Sequence, residues 1–260
     1  PQTTRQRIVG ILTLDDAQLV FVDTPGFQTE HVSSLTWNMN RTATQALRET
    51  DVILWVVEAC KLHPLDGKLE KMLPEDHPVV LVINKIDRLE DKSTLLPFIE
   101  QMAARRSFAA IVPVSAQKGT QTADLVAAVK PLLPEHPALY DADEITVSTE
   151  RFLAAELVRE KLFRLLGEEL PYSTAVEVEK FETTPTGMRR IAVKILVDKE
   201  SQKGIVVGQG GERLKEIGTR ARIDMERLFG GKVFLEAWVV VRSGWADDRR
   251  TLKRLGYDAE

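Results

Sequence analysis

Residues Asn84-Lys85-Ile86-Asp87 directly follow the apolar run PVVLVI, and their types suit recognition of guanine. Guanine presents N1–H and its 2-amino group as adjacent donors. One carboxylate accepts both at once, which adenine cannot offer, and Asp87 has that chemistry. Asn84 can bond the other edge of the base or tie loops together, while the stem of Lys85 can lie over the ring. Downstream, VPVSAQKG places Ser115-Ala116 where a backbone N–H could meet guanine O6. A tetrapeptide such as N-K-x-D arises often by chance. Its position after an apolar strand, with DTPG upstream and SA-x-K downstream in order, makes a guanine nucleotide the expected ligand.

Asp23-Thr24-Pro25-Gly26-Phe27 supplies the phosphate end of that chemistry. Asp23 is expected to hold Mg²⁺ through water, and the Gly26 N–H to contact a γ-phosphate, so that the loop moves on hydrolysis. Thr3 or Thr4 in PQTTR is placed to close on the metal, which makes Thr4 and Asp23 the candidate metal pair and Thr4 and Gly26 the candidate switch contacts. Phe27 stands where many GTPases carry a water-orienting Gln, and an apolar side chain cannot orient water, so unassisted hydrolysis should be slow. No other catalytic residue is assigned. A phosphate-cradling G-x-x-x-x-G-K-[ST] loop does not occur. Gly67-Lys68 is followed by Leu69 and has Leu62 at the first-glycine position, whereas Gly231-Lys232 is followed by Val233 and has Glu226 there.

A different chemistry is offered by Gly208-Gln209-Gly210-Gly211, which joins an apolar segment to a helix. A G-x-x-G turn at a helix start lets a nucleic-acid backbone approach closely, where N–H groups welcome phosphate. Arg213, Lys215, Arg220 and Arg222 lie just beyond it. Residues 180–255 hold 17 Lys+Arg against 10 Asp+Glu, whereas residues 1–140 hold 14 against 17, in a chain of net charge −4. A basic region in an acidic protein points to a polyanion partner, here RNA.

These groups need a scaffold. In the first half RIVGIL, AQLVFVD, DVILWVVE, PVVLVINK and FAAIVPVS read as strands apolar on both faces, as in a parallel sheet. Amphipathic stretches such as SSLTWNMNRTATQALRE lie between them, so the expectation is a doubly wound α/β sheet with ligands at the strands' carboxyl ends. The Pro- and Asp-rich stretch 134–148 breaks the pattern. Residues 1–138 form the expected first domain, 139–149 the linker and 150–260 the second domain. The latter opens with an amphipathic helix ended by Gly167, continues as two alternating strands with Ile191, Val193, Ile195 and Val197 on one face, and passes through the glycine turn into a helix and a last strand.

With 260 residues, 43% hydrophobic and 28% charged, the chain has ordinary globular composition. Its one cysteine, Cys60, excludes a disulfide framework and fits a reducing compartment. The longest apolar run, VILWVV, is too short to span a bilayer, and the four scattered histidines give no metal-ligand spacing.

PQTTRxRIVG, DTPG, NKID, VSAxKG, the REKL and ELPYS stretch at 159–173, IVVGQGG and SGWADDxRxLxxLGY at 243–257 together resemble the Era family of bacterial GTPases over nearly the whole chain. The resemblance implies a P-loop-NTPase-like doubly wound sheet followed by an α+β type II K-homology domain. It implies GTP/GDP and Mg²⁺ as ligands, binding near the 3′ end of small-subunit rRNA in 30S ribosomal subunit assembly, and a cytoplasmic location with peripheral inner-membrane association. In that family PQTTR is the switch segment and the phosphate loop lies upstream of it. The first strand, phosphate loop and following helix are therefore expected to be missing here, and GTP to bind weakly. The alternatives are an rRNA-binding protein independent of nucleotide and another translational GTPase.

Overall fold

The computed structural model describes residues 4–27, 33–167 and 170–257. In chain order the elements are β1 (Ile8–Thr13), β2 (Gln18–Asp23), α1 (Ser34–Glu49), β3 (Ile53–Glu58), α2 (Asp66–Met72), β4 (Val79–Asn84), α3 (Leu95–Ala103), β5 (Ala110–Pro113) and α4 (Thr122–Val129). They continue as α5 (Glu150–Leu165), β6 (Thr174–Thr183), β7 (Arg189–Val197), α6 (Glu200–Val207), α7 (Glu212–Phe229), β8 (Val233–Val241) and α8 (Arg249–Arg254). The chain divides into two compact units, one of residues 11–21 and 43–145, the other of 1–10, 22–42 and 146–260.

In the first unit β3, β4 and β5 form a parallel sheet in that order. Strand β4 is apolar on both faces for a visible reason. Val79, Leu81 and Ile83 pack with Ile53, Trp55, Val57 and the α3 residues Phe98 and Met102. Val80 and Val82 face the other way, onto Val112, Val114, Leu19 and Val129. The even and odd positions thus serve two separate cores, as period-two geometry requires.

RIVGIL and AQLVFVD depart from the parallel expectation. As β1 and β2 they form their own two-stranded sheet, and the turn between them is closed by the Leu14 N–H donating to the Ala17 carbonyl at 2.8 Å. So short a connection can join only antiparallel neighbours, because a parallel pair needs a crossover of a dozen residues or more.

In the second unit β6 and β7 run antiparallel and β8 pairs parallel to β7. Ile191, Val193, Ile195 and Val197 of β7 all enter one core with Ala154, Val158 and Leu162 of α5 and Ile217, Ala221 and Met225 of α7. The opposite face of the sheet carries a smaller core, in which Ala175 and Leu196 meet Leu35 and Met39 of α1 and Trp245, Leu252 and Tyr257. Thr149 caps α5 by accepting from the Phe152 N–H, and Gly167, at φ +76°, lies just past its end. The IVV segment before the glycines is the last turn of α6, although three β-branched residues favour a strand. Gln202 Oε1 accepts from the N–H groups of Asp198 and Lys199 at 2.8 and 3.0 Å and starts that helix.

Candidate guanine-nucleotide and RNA sites

The NKID loop leaves the carboxyl end of β4, the central strand, where a parallel sheet presents ligands. Asn84 takes the loop-tying role of the two open to it. Its Oδ1 accepts from the Lys85 N–H at 2.7 Å and from the Ala116 N–H at 3.0 Å, which fastens the β4 loop to the β5 loop. Lys85 is one of three non-glycine residues with positive φ among the described residues, at +67°. Such conformations persist where surrounding bonds over-determine them, and they cluster at functional loops. Ile86 and Asp87 come next in a short 3₁₀ turn, with the Ile86 N–H donating to Val114 O.

Asp87 is partly exposed and accepts from the Ser115 hydroxyl at 2.6 Å through Oδ1. That hydrogen bond holds its carboxyl below the ordinary carboxylate range, so the group is an acceptor at neutral pH. Ser115 is itself buried and oriented, its hydroxyl accepting from the Lys118 N–H at 3.2 Å. The Ser115 bond engages Oδ1 alone, so a donor pair on a ring edge would meet one open and one shared oxygen. A guanine O6 would have to share the Ala116 N–H with Asn84.

The phosphate-end residues lie in the second compact unit. Thr4 donates its hydroxyl to Asp23 Oδ2 at 2.7 Å, so the two residues assigned to the metal meet directly. Asp23 and Gly26 are exposed, Thr24 and Phe27 half-buried and Pro25 buried. A hydroxyl and a carboxylate are hard oxygen donors of the kind Mg²⁺ takes, with water completing its shell. The donor set fits that ion, with Thr4 and Asp23 as the residues that would hold it. Thr3 lies outside the described residues.

At the glycine turn all three glycines have positive φ: Gly208 +73°, Gly210 +57° and Gly211 +83°. Gly208 is also sterically fixed, because a Cβ there would stand 2.7 Å from Arg213 Cβ. Gln209 and Gly210 are exposed, so the turn offers backbone to solvent at the start of the 18-residue helix α7. The basic residues behind it differ in availability. Arg213 Nη1 donates to Ile205 O at 3.0 Å and so braces the turn. Arg222 is paired with Glu226 and Arg220 with Glu216. Exposed Lys215 makes no ion pair among the described residues.

Two features of these sites escape a reading of the sequence. Glu58, ending β3 in register with Asn84, places Oε2 2.5 Å from Lys85 Nζ. The signal for it was its place at the carboxyl end of the neighbouring parallel strand. Arg5, adjacent to Thr4, is buried against Trp245 and Tyr257, and no local pattern announces that.

Comparison with known proteins covers both sites. A family profile described as KH domain matches residues 169–246, and one described as 50S ribosome-binding GTPase matches residues 1–85. The chain is 53% identical over 257 residues to GTPase Era of Chromobacterium violaceum, covering 99% of this chain and 86% of that protein. It is equally 53% identical to GTPase Era of Neisseria meningitidis, covering 98% of this chain and 83% of the relative. Among solved structures, an Era variant of Aquifex aeolicus bound to GDP·AlF4⁻ superposes with TM-score 0.93 at 37% identity, over 99% of this chain and 88% of that one. Era in complex with MgGDPNP and nucleotides 1506–1542 of 16S ribosomal RNA matches with the same TM-score of 0.93, identity of 37% and coverage.

Proposed function

The chain belongs to the Era family of GTPases, and from that premise we propose that it is a GTP/GDP-switched RNA-binding protein. It takes small-subunit rRNA near the 3′ end and assists assembly of the 30S subunit. The observation that carries this reading is one chain holding both the NKID loop, tied by Asn84 to the β5 loop, and an exposed glycine turn ahead of a helix that carries Arg213 and Lys215. The small subunit is favoured because the RNA in the related complex is a 16S segment.

In this reading residues 1–138 do the nucleotide work and residues 150–260 the RNA work, with 139–149 linking them. Asp87 accepts from the two donors of guanine, Asn84 holds the loops together, and the stem of Lys85 lies on the ring. Thr4, and Asp23 through water, would hold Mg²⁺, which when bound would neutralise phosphate charge, and the Gly26 N–H would contact the terminal phosphate. The half-buried Phe27 cannot orient water, so unassisted hydrolysis is expected to be slow. At the other site the Gly208–Gly211 turn lets the RNA backbone approach, and Arg213 and Lys215 meet its phosphates. Family resemblance extends the reading to the cytoplasm with peripheral inner-membrane association. No helix of the described residues is long and apolar enough to cross a membrane.

The test is fluorescence anisotropy of a 16S 3′-end oligonucleotide titrated with the whole chain, with and without Mg²⁺ and a non-hydrolysable GTP analogue. The expected result is a clear preference over a scrambled oligonucleotide and an affinity that responds to the nucleotide. No preference would overturn the RNA reading. A preference indifferent to nucleotide would replace the switch by a nucleotide-independent RNA-binding protein.

A further inference from the structure

Strand β3 ends at Glu58, directly across from Asn84 in the parallel register, and the turn after it ties the two strand ends together. The Ala59 N–H donates to the Asn84 carbonyl at 2.9 Å, and the Lys61 N–H turns back to Glu58 O at 3.1 Å. That turn places Cys60 at φ +57°, while Lys85 on the facing loop is at +67°. Two of the three left-handed non-glycine residues among the described residues are therefore Lys85 itself and Cys60, two positions beyond Glu58. Left-handed backbone at a β-carbon-bearing residue is costly and is retained where something fixes it.

The contact itself is a 2.5 Å hydrogen-bonded ion pair whose side chains are 35% exposed for Glu58 and 42% for Lys85. The hydrogen bond from Lys85, supported by the charges of Lys61 and Arg88, holds the Glu58 carboxyl below the ordinary range, so that carboxyl is ionised at neutral pH. At that exposure an ion pair adds little to stability. Its consequence is conformational. Lysine has four rotatable side-chain bonds and loses most of that freedom when its stem must lie along a ligand.

We propose that Glu58 is a positioning residue for the base site: its carboxylate fixes the Lys85 ammonium, so that the lysine stem is already set for the guanine ring when the nucleotide arrives. This rests on the reading of residues 84–87 as a guanine site. Ordering Lys85 in advance removes part of the entropic cost of binding, which is the general advantage of preorganisation. Glu58 acts through Lys85 and touches neither base nor phosphate.

Guanosine makes the test independent of phosphate contacts. Its binding to the whole chain is followed by the ¹⁵N shifts of the Ile86 and Ala116 amides, with adenosine as control. Glu58→Gln keeps the shape and removes the charge, and Lys85→Met keeps an apolar stem and removes the ammonium. Glu58→Gln should weaken guanosine by about three- to tenfold, Glu58→Asp should recover part of the loss, and Glu58→Gln should have no further effect in the Lys85→Met background. Parent-like guanosine affinity in Glu58→Gln overturns the proposal, and so does an undiminished loss in the Lys85→Met background, which would mean that Glu58 does not act through the lysine. A parent that does not prefer guanosine to adenosine instead overturns the guanine reading. Amide-shift dispersion and a circular-dichroism melt confirm that each variant is folded.

Discussion

The guanidinium of Arg5 lies 5.7 Å from the centre of the Trp245 ring, and 5.9 Å from that of Tyr257. Its Nη1 donates to the Thr174 carbonyl at 2.6 Å, and the residue is 2% exposed. Desolvation lowers its pKa, opposed by the neighbouring Tyr257, yet a guanidinium stays charged under any ordinary condition. The preceding residue, Thr4, is the one bonded to Asp23. Gln6 continues the attachment, its Nε2 donating to the Leu255 carbonyl at 2.7 Å. The segment bearing the metal-type threonine is thus fastened to the closing WADD…LGY stretch of the same compact unit.

Removing that side chain should be expensive. Arg5→Ala deletes a charge-assisted hydrogen bond and two ring contacts from a buried position, and is expected to cost about 2–4 kcal/mol. Arg5→Lys keeps the charge and loses the planar stacking, and should recover only part of that. Urea unfolding of the two variants beside the parent checks both, and a loss below about 0.5 kcal/mol for Arg5→Ala would show that the contacts carry no net stability.

Base choice should follow Asp87. Asp87→Asn replaces one acceptor oxygen by a donor, which suits the 2-oxo group of xanthine and mismatches the 2-amino group of guanine. Leaving buried ligand donors unpaired costs about 1–3 kcal/mol, so guanosine affinity should fall and xanthosine affinity rise. Competition titrations with the two nucleosides measure the exchange, and unchanged guanosine binding would sink the assignment.

Two substitutions at the glycine turn should separate folding from RNA contact. Gly208→Ala forces a methyl into Arg213 and a side chain onto positive φ, so it should lower stability by roughly 1–3 kcal/mol. Gln209→Asp touches an exposed side chain and should leave stability within about 0.5 kcal/mol, while setting a negative charge where the RNA backbone is expected. Anisotropy with the 16S oligonucleotide should then show a folded protein with weakened, steeply salt-dependent binding. Parent-like affinity in Gln209→Asp would reduce the glycines to a structural turn.

Acid should loosen the α5–α7 contact. Lys161, at 5% side-chain exposure, is clamped between Asp224 and Glu160. The hydrogen bond from Lys161 holds the Asp224 carboxyl below its ordinary value of 3.8. Because the folded pKa is depressed, this stabilisation is fully present above the unfolded value and is lost as pH falls through the folded one. Melting temperature followed from pH 6 down to pH 3 (about the carboxylate range) should therefore fall more steeply in the parent than in Asp224→Asn. Parallel curves would show that the pair contributes nothing to folding.

Much of this was legible along the chain because its causes are local. Alternation put Ile191, Val193, Ile195 and Val197 on one face, and the tertiary core uses all four there. Gly167 sits past the end of α5 because positive φ is a property of one residue. The guanine tetrapeptide sits where an apolar strand ends, and apolar runs declare strands without help from distant residues. Tertiary structure alone decided which strand pairs with which, so that RIVGIL and AQLVFVD became a hairpin. It decided too that IVV ends a helix, and that residues 1–10 and 22–42 cluster with residues 146–260. It also chose the partners of the charges: Glu58 for Lys85, 27 positions away, and the Thr174 carbonyl for Arg5, 169 positions away. A side chain's own type tells that it needs a partner, but partner choice depends on which chain segments packing brings within a few ångströms. That choice is settled by burial of the cores as a whole, a sum over contacts that no window of sequence contains.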